Sequence, residues 1–219
     1  MQDLCVISLG GDCSVSYQLR RLGLQARGTM PFDWMRIDKL ADVISILEAE
    51  FNDFAKFDSY TINQQSLAFE YFATNVSANV KSQYKMIHKK YKFILPHEYQ
   101  GDYIDQFQFE AKYARRIKRF LEIGKDSKIH KVFVRLGTLK EQKLISKLEA
   151  VLNGLGIVNY EIKYIVLEEW NNLIPKDMPF RWQRDYIPWI ELLTYHLSFI
   201  KSRISNSIIC SSRGDIIRK

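Results

Sequence analysis

The sequence predicts an α/β fold: a layered sheet with at least partly parallel strands, flanked by helices, with a nucleophile turn after strand one. Three observations carry this. Residues 4–10 are a short apolar run ended by Gly10 and Gly11, and residues 131–136 and 161–167 read as two more strands. Between the latter two, Leu144, Leu148, Val151, Leu152 and Leu155 recur with helical spacing. A strand–helix–strand unit of about 35 residues calls for parallel pairing through a crossover.

The elements follow in chain order. After the first strand, Val15, Leu19 and Leu22 lie on one face of a helix that stops at Gly23. Residues 25–32 read as a second extended segment closed by Pro31. Leu40, Val43, Ile44 and Leu47 mark an amphipathic helix reaching about Glu50. Residues 51–100 are aromatic-rich and irregular, with alternation at 68–72 and 91–95 suggesting short strands. From Asp105 to Ile123, Tyr113, Ile117, Phe120 and Leu121 form a helical stripe amid Arg115, Arg116, Lys118 and Arg119. The crossover unit comes next, its helix ended by Gly154 or Gly156. Residues 182–189 read as a loop and 190–200 as a final helix. The whole chain, 1–219, reads as a single domain, with residues from about 205 as a frayed tail.

Composition narrows the function. Hydrophobic residues make up 47% and charged residues 26% of 219 residues, as in ordinary globular chains. No apolar run approaches the ~20 residues that span a bilayer. Met1, Gln2 and Asp3 lead straight into the first strand without a secretory pattern, so a cytoplasmic protein and no membrane partner are expected. Three cysteines are too few for a disulfide framework and lack metal-ligand spacing; neither metal nor cofactor is expected. The net charge of +7 comes without any nucleic-acid-reading motif. An anionic substrate or an acidic partner accounts for it equally well, and a solvated basic face is the preferred reading.

Cys13 is the first place to look for chemistry. It follows a strand and a glycine turn and opens a helix, where free N–H groups and partial positive charge favour a thiolate. The amides of Gly11, Asp12 and Ser14 are placed to hold a developing oxyanion. The bland reading, a small buried thiol, has equal weight. As a base, His97 stands out: it ends an extended run in which Pro96 confines Leu95 to extended geometry, and Glu98 follows it. His88, in a lysine-rich stretch, and His130, beside a lysine, are expected at the surface. Asp33 either caps a turn or orients the imidazole. Arg135, alone among apolar residues, needs an acidic partner or an anionic ligand. Trp182 and Asp185 either line a pocket or pack. In α/β sheets, sites lie at the carboxyl ends of strands, so 10–13, 135–137 and Glu168–Glu169 should converge.

These motifs resemble a known family. Leu9-Gly10-Gly11-Asp12-Cys13-Ser14, Leu19-Arg20-Arg21-Leu22-Gly23-Leu24 and Pro31-Phe32-Asp33-Trp34 resemble the opening of a domain family named for papain-like cysteine peptidases. Pro96-His97-Glu98-Tyr99, the Tyr113–Phe120 segment, Val132-Phe133-Val134-Arg135 and the Trp182/Asp185/Trp189 element are similar to its later motifs. The resemblance covers about residues 4–190. It implies a cysteine-dependent hydrolase (a thiol protease acting on an amide or ester carbonyl), with Cys13 as nucleophile and His97 as its partner. The substrate class is then a peptide or a small acyl compound. Two alternatives stand beside it. The strand-first opening is also similar to SGNH-type esterases and acyltransferases, although Pro188 stands where their late histidine belongs. The other is a non-catalytic module that binds an anionic or glycan ligand.

Overall fold

The computed structural model describes residues 3–25, 27–65, 83–96, 98 and 105–166. Strand β1 (Asp3–Ser8) runs into helix α1 (Cys13–Arg21), followed by α2 (Leu40–Glu48), β2 (Tyr60–Gln65), β3 (Gln83–His88) and β4 (Ile94–Leu95). Helix α3 (Gln106–Lys125), β5 (Ile129–Gly137), α4 (Ile145–Gly154) and β6 (Tyr160–Val166) complete the described chain. Of the expected elements, the strand at 68–72, the loop at 182–189, the final helix and the tail lie outside the described residues.

The predicted α/β layering is present. β1, β5 and β6 form a parallel sheet in the order β1-β5-β6, with Ser8 beside Val134 and Leu136 beside Ile165. β5 is central and all but His130 of its residues are buried, which is why it reads as a continuous apolar run rather than an alternating one. Two charges sit in it at full burial, Lys131 and Arg135. Lys131 meets its need by donating from Nζ to the Asp126 carbonyl at 2.8 Å. α4 returns the chain from β5 to β6 with Leu148 and Leu152, one turn apart, buried.

A second, antiparallel sheet, β2-β3-β4, was not legible. Its strands carry Asn63, Gln64 and Gln65 opposite Lys85, Tyr84 and Gln83, a polar composition that gives no apolar alternation to read. Tyr91–Leu95, expected as a strand, supplies only the two residues of β4. Residues 25–32, expected to be extended, form no strand; their chain folds around Asp33, as described below. Helices α1, α2, α3 and α4 match expectation because each carries a 3.6-residue apolar period. α3 begins where Asp105 accepts the Gln108 N–H at 3.0 Å and buries Phe109, Tyr113 and Phe120. Of these, Phe120 meets Phe32, whose ring lies 5.7 Å from both Phe51 and Phe54 and 6.3 Å from Phe120, while Tyr113 packs on Phe54. This aromatic cluster joins the aliphatic side chains of β1, α2 and α4 in one core.

His88 departs from expectation. It is 1% exposed, nested among Tyr60, Tyr91 and Phe93 with ring centroids about 5 Å away. Lysines flank it in sequence, but the strand's alternation turns its side chain inward. Its Nδ1 accepts from the backbone N–H of Lys90 and Tyr91, which leaves the proton on Nε2. Burial lowers its pKa below the ordinary histidine range, offset only in part by the Asp53 backbone and carboxylate. The unfolded chain therefore binds a proton that the folded chain resists. Stability is expected to be complete above ~6.5 and to decline as pH falls through the window below it. Urea unfolding from pH 8 to pH 5 should show this decline in the wild type and a shallower one in His88→Gln.

Candidate functional site

β1 ends at the carboxyl edge of the parallel sheet, and every carbonyl of the turn that follows is held. Arg135 Nη1 donates to the Leu9 carbonyl at 3.2 Å, the Leu136 N–H to that of Gly10 at 3.2 Å, and the Ile37 N–H to that of Gly11 at 2.9 Å. Gly10 and Gly11 have φ of +78° and +123°, values open to glycine. Space is closed as well: a Cβ on Gly11 would lie 2.5 Å from the Leu136 carbonyl oxygen. A trans peptide points its N–H opposite its C=O. With the Gly10 and Gly11 carbonyls anchored inward, the Gly11 and Asp12 N–H groups face the other way.

Asp12 then caps α1. Its extended backbone (φ −134°, ψ −174°) lets Oδ1 accept the Ser14 N–H at 2.8 Å and the Ser14 hydroxyl, the usual N-cap arrangement. The Ser14 amide, expected as an oxyanion donor, is therefore engaged in capping. Cys13 is the first residue of α1 and is 8% exposed. Its thiol departs from the expected activation: burial pushes it up to about 12, and the Asp12 carboxylate adds to this. The residue's own backbone N–H and the Arg36 guanidinium pull the other way without prevailing. A helix terminus favours a thiolate only where the sulfur stays solvated enough to ionise, and here desolvation is the larger effect.

Arg135 is fully buried, as its setting in the strand requires, yet among the described residues no carboxylate bonds it. Its guanidinium donates to three backbone carbonyls: Leu9, Ile37 (2.9 Å) and Asp38 (3.0 Å). Main-chain dipoles are thus its hydrogen-bond partners among the described residues, an option open to any arginine beneath a chain crossing. The sequences 10–13 and 135–137 converge as the topology demanded; Glu168 and Glu169 lie outside the described residues.

Asp33 is 2% exposed and accepts from three donors. Ser16 Oγ reaches it at 2.9 Å, Gln25 Nε2 at 2.6 Å and the Met30 N–H at 2.6 Å. The Ser16 hydroxyl oxygen in turn accepts the Trp34 N–H at 3.0 Å. Asp33 therefore ties α1, one turn beyond Cys13, to the loop of residues 25–34. Burial still holds its carboxyl above the ordinary range despite these donors. Ser16 and Gln25 were not singled out from sequence; a serine three residues past Cys13 shares its helical face, the one signal that could have found it.

His97, Trp182, Asp185 and Cys210 lie outside the described residues. Their neighbours are partly visible. Pro96 is buried, and the Glu98 side chain, 8% exposed, is held on α3 by Lys112, by the Tyr113 hydroxyl at 2.9 Å and by Arg116 at 3.8 Å. Its carboxylate is thus occupied by α3. His130 is half-buried, with Nδ1 3.2 Å from Asn159 Oδ1 and Nε2 3.8 Å from Glu161. Among the described residues no cluster of three His, Cys, Asp or Glu is arranged to hold a metal ion. No helix among them is long and apolar enough to cross a membrane. A shallow groove of about 490 Å³, lined by Phe51, Ala55, Ile117 and Leu121, shares no residue with the Cys13 turn.

Two comparisons with known proteins bear on this turn. The uncharacterized protein R408 of Acanthamoeba polyphaga mimivirus is 26% identical over 226 residues, spanning 87% of this chain and 97% of its own. No solved structure matches the chain. The family model described as "Putative papain-like cysteine peptidase (DUF1796)" matches residues 4–169, a span that takes in the glycine turn, Cys13, Asp33 and strands β5 and β6 of the parallel sheet. By that match, the chain belongs to the family so described, DUF1796.

Proposed function

We propose that the protein is a cysteine-dependent hydrolase that acts on an amide or ester carbonyl of a peptide or small acyl substrate. The observation that carries this reading is the placement of Cys13: first residue of α1, directly after a glycine turn whose carbonyls are all anchored, at the carboxyl edge of a parallel sheet. Family membership adds support. Because burial keeps the thiol protonated, attack requires a base, and His97 takes that role. His97 removes the Sγ proton as sulfur bonds to the carbonyl carbon, and the negative charge moves to the carbonyl oxygen. The Gly11 and Asp12 N–H groups stabilise that oxygen. Collapse expels the amine or alcohol, which takes the proton from His97, and water then hydrolyses the thioester. Asp33 contributes by holding α1 through Ser16, and Trp182 and Asp185 are the proposed substrate-contacting residues. The chemistry needs no metal or organic cofactor. It does need a reduced thiol, which fits a cytoplasmic setting.

A second reading rests on the same residue. A thiol 8% exposed and pushed up to about 12 has the properties of a structural cysteine, as in a binding module for an anionic or glycan ligand. Labelling by iodoacetamide with mass mapping decides between them. For the hydrolase, Cys13 is alkylated faster than Cys210 at neutral pH, and His97→Ala slows Cys13 and removes turnover while the circular dichroism is unchanged. Equal Cys13 rates in His97→Ala and wild type, or labelling of Cys210 alone, would favour the binding module.

A further inference from the structure

We infer that Arg135 is a positioning residue for the Cys13 turn, clamping the Leu9–Gly10 peptide plane from one side while Ser8 clamps it from the other. This rests on the hydrolase reading above for its catalytic meaning, and on geometry for everything else. The plane is held at both ends. Its C=O accepts from Arg135 Nη1 at 3.2 Å, and its N–H donates to Ser8 Oγ at 3.0 Å. The same Nη1 also takes the Ile37 carbonyl and Nη2 the Asp38 carbonyl. Ile37 in turn donates its N–H to the Gly11 carbonyl. One guanidinium therefore joins the exit of β1 to the strand-like segment that bounds the turn's other side. The fork is what makes this possible: an ammonium offers no planar pair of donors at fixed separation.

Stability alone does not account for such a residue. A buried charge gains little over a packed apolar side chain, and here Nε finds no acceptor among the described residues, a further cost. What the guanidinium supplies is direction. Two consecutive planes beyond the clamp carry the Gly11 and Asp12 N–H groups, so rotating the first plane re-aims the next two and the Cys13 Cα–Cβ bond after them. Placing reacting atoms within a fraction of an ångström is where such constraints act on rate.

The test uses the full-length protein and its second buried thiol. Cys5, 4% exposed in β1, reports general loosening, whereas Cys13 reports the turn. Arg135→Lys keeps the charge and loses the fork; Ser8→Ala frees the other end of the same plane and is the milder variant should the lysine fail to fold. Iodoacetamide alkylation of both thiols is followed by mass mapping from pH 6 to pH 10. Expected is a slowing of Cys13 at pH 7 by about tenfold in Arg135→Lys, less in Ser8→Ala, with the Cys13 pH profile displaced upward and Cys5 unmoved. Faster alkylation of both thiols means that Arg135 only holds the core together, and unchanged Cys13 means no role in the turn; either overturns the inference. If wild-type Cys13 proves inert, the hydrolase reading fails and amide hydrogen exchange decides the clamp. Faster exchange at residues 10–12 in the two variants supports it, and unchanged exchange there removes it.

Discussion

Gly11→Ala is expected to destabilise the protein by at least about 3 kcal/mol, with loss of whatever activity Cys13 supports. Two independent penalties combine. The φ of +123° is outside the regions an L-residue occupies. The new methyl would stand 2.5 Å from the Leu136 carbonyl oxygen and 2.8 Å from the Leu136 Cβ, backbone and near-backbone atoms of the central strand that cannot swing aside. Gly23→Ala is the control. Its φ is +68° and no atom lies within 4 Å of the added methyl, so only the left-handed cost of about 1–2 kcal/mol applies. Urea unfolding of both variants measures the difference. Equal effects at the two sites would mean that β1 and β5 can part enough to admit the methyl, and that the turn is less constrained than its hydrogen bonds indicate.

Asp33→Ala is expected to be nearly as costly, about 3 kcal/mol, because it leaves the Met30 N–H, Ser16 Oγ and Gln25 Nε2 without the acceptor they share. Asp33→Asn keeps an acceptor and should lose less. The pH dependence separates this from mere packing. Burial raises the Asp33 pKa in the folded state, so the folded protein takes up this proton more readily than the unfolded chain. Its contribution is therefore fully present below the ordinary carboxylate pKa of ~3.9 and lost as pH rises through the elevated folded value. Relative to Asp33→Asn, which has no proton to bind there, the wild type should gain stability as the solution is acidified through that window. Chemical denaturation of the pair between pH 7 and pH 4 measures it. A constant difference between them would mean that Asp33 has the same affinity for a proton folded and unfolded.

By itself the sequence determined the elements whose burial is periodic. β1 and β5 are apolar where the parallel sheet buries them, β6 buries only its carboxyl end, and α1 to α4 carry their core stripe at 3.6-residue spacing. It also determined the turn, from the two glycines before Cys13; that Asp12 caps α1 came from the structure. It determined, through its motifs, the family. The antiparallel sheet was illegible because strands such as Tyr60–Gln65 are specified by main-chain pairing rather than by an apolar face. Only the tertiary structure decided the electrostatics, and for one physical reason: burial is a property of the assembled chain. Cys13 at a helix terminus reads as a favoured thiolate until the fold shows it desolvated. His88 among lysines reads as exposed until Tyr60, Tyr91 and Phe93 close over it. Arg135 reads as half of an ion pair until the chain crossing above it supplies three carbonyls. In each case the local sequence names the group that can ionise, and the distant residues packed against it set whether ionisation is tolerated.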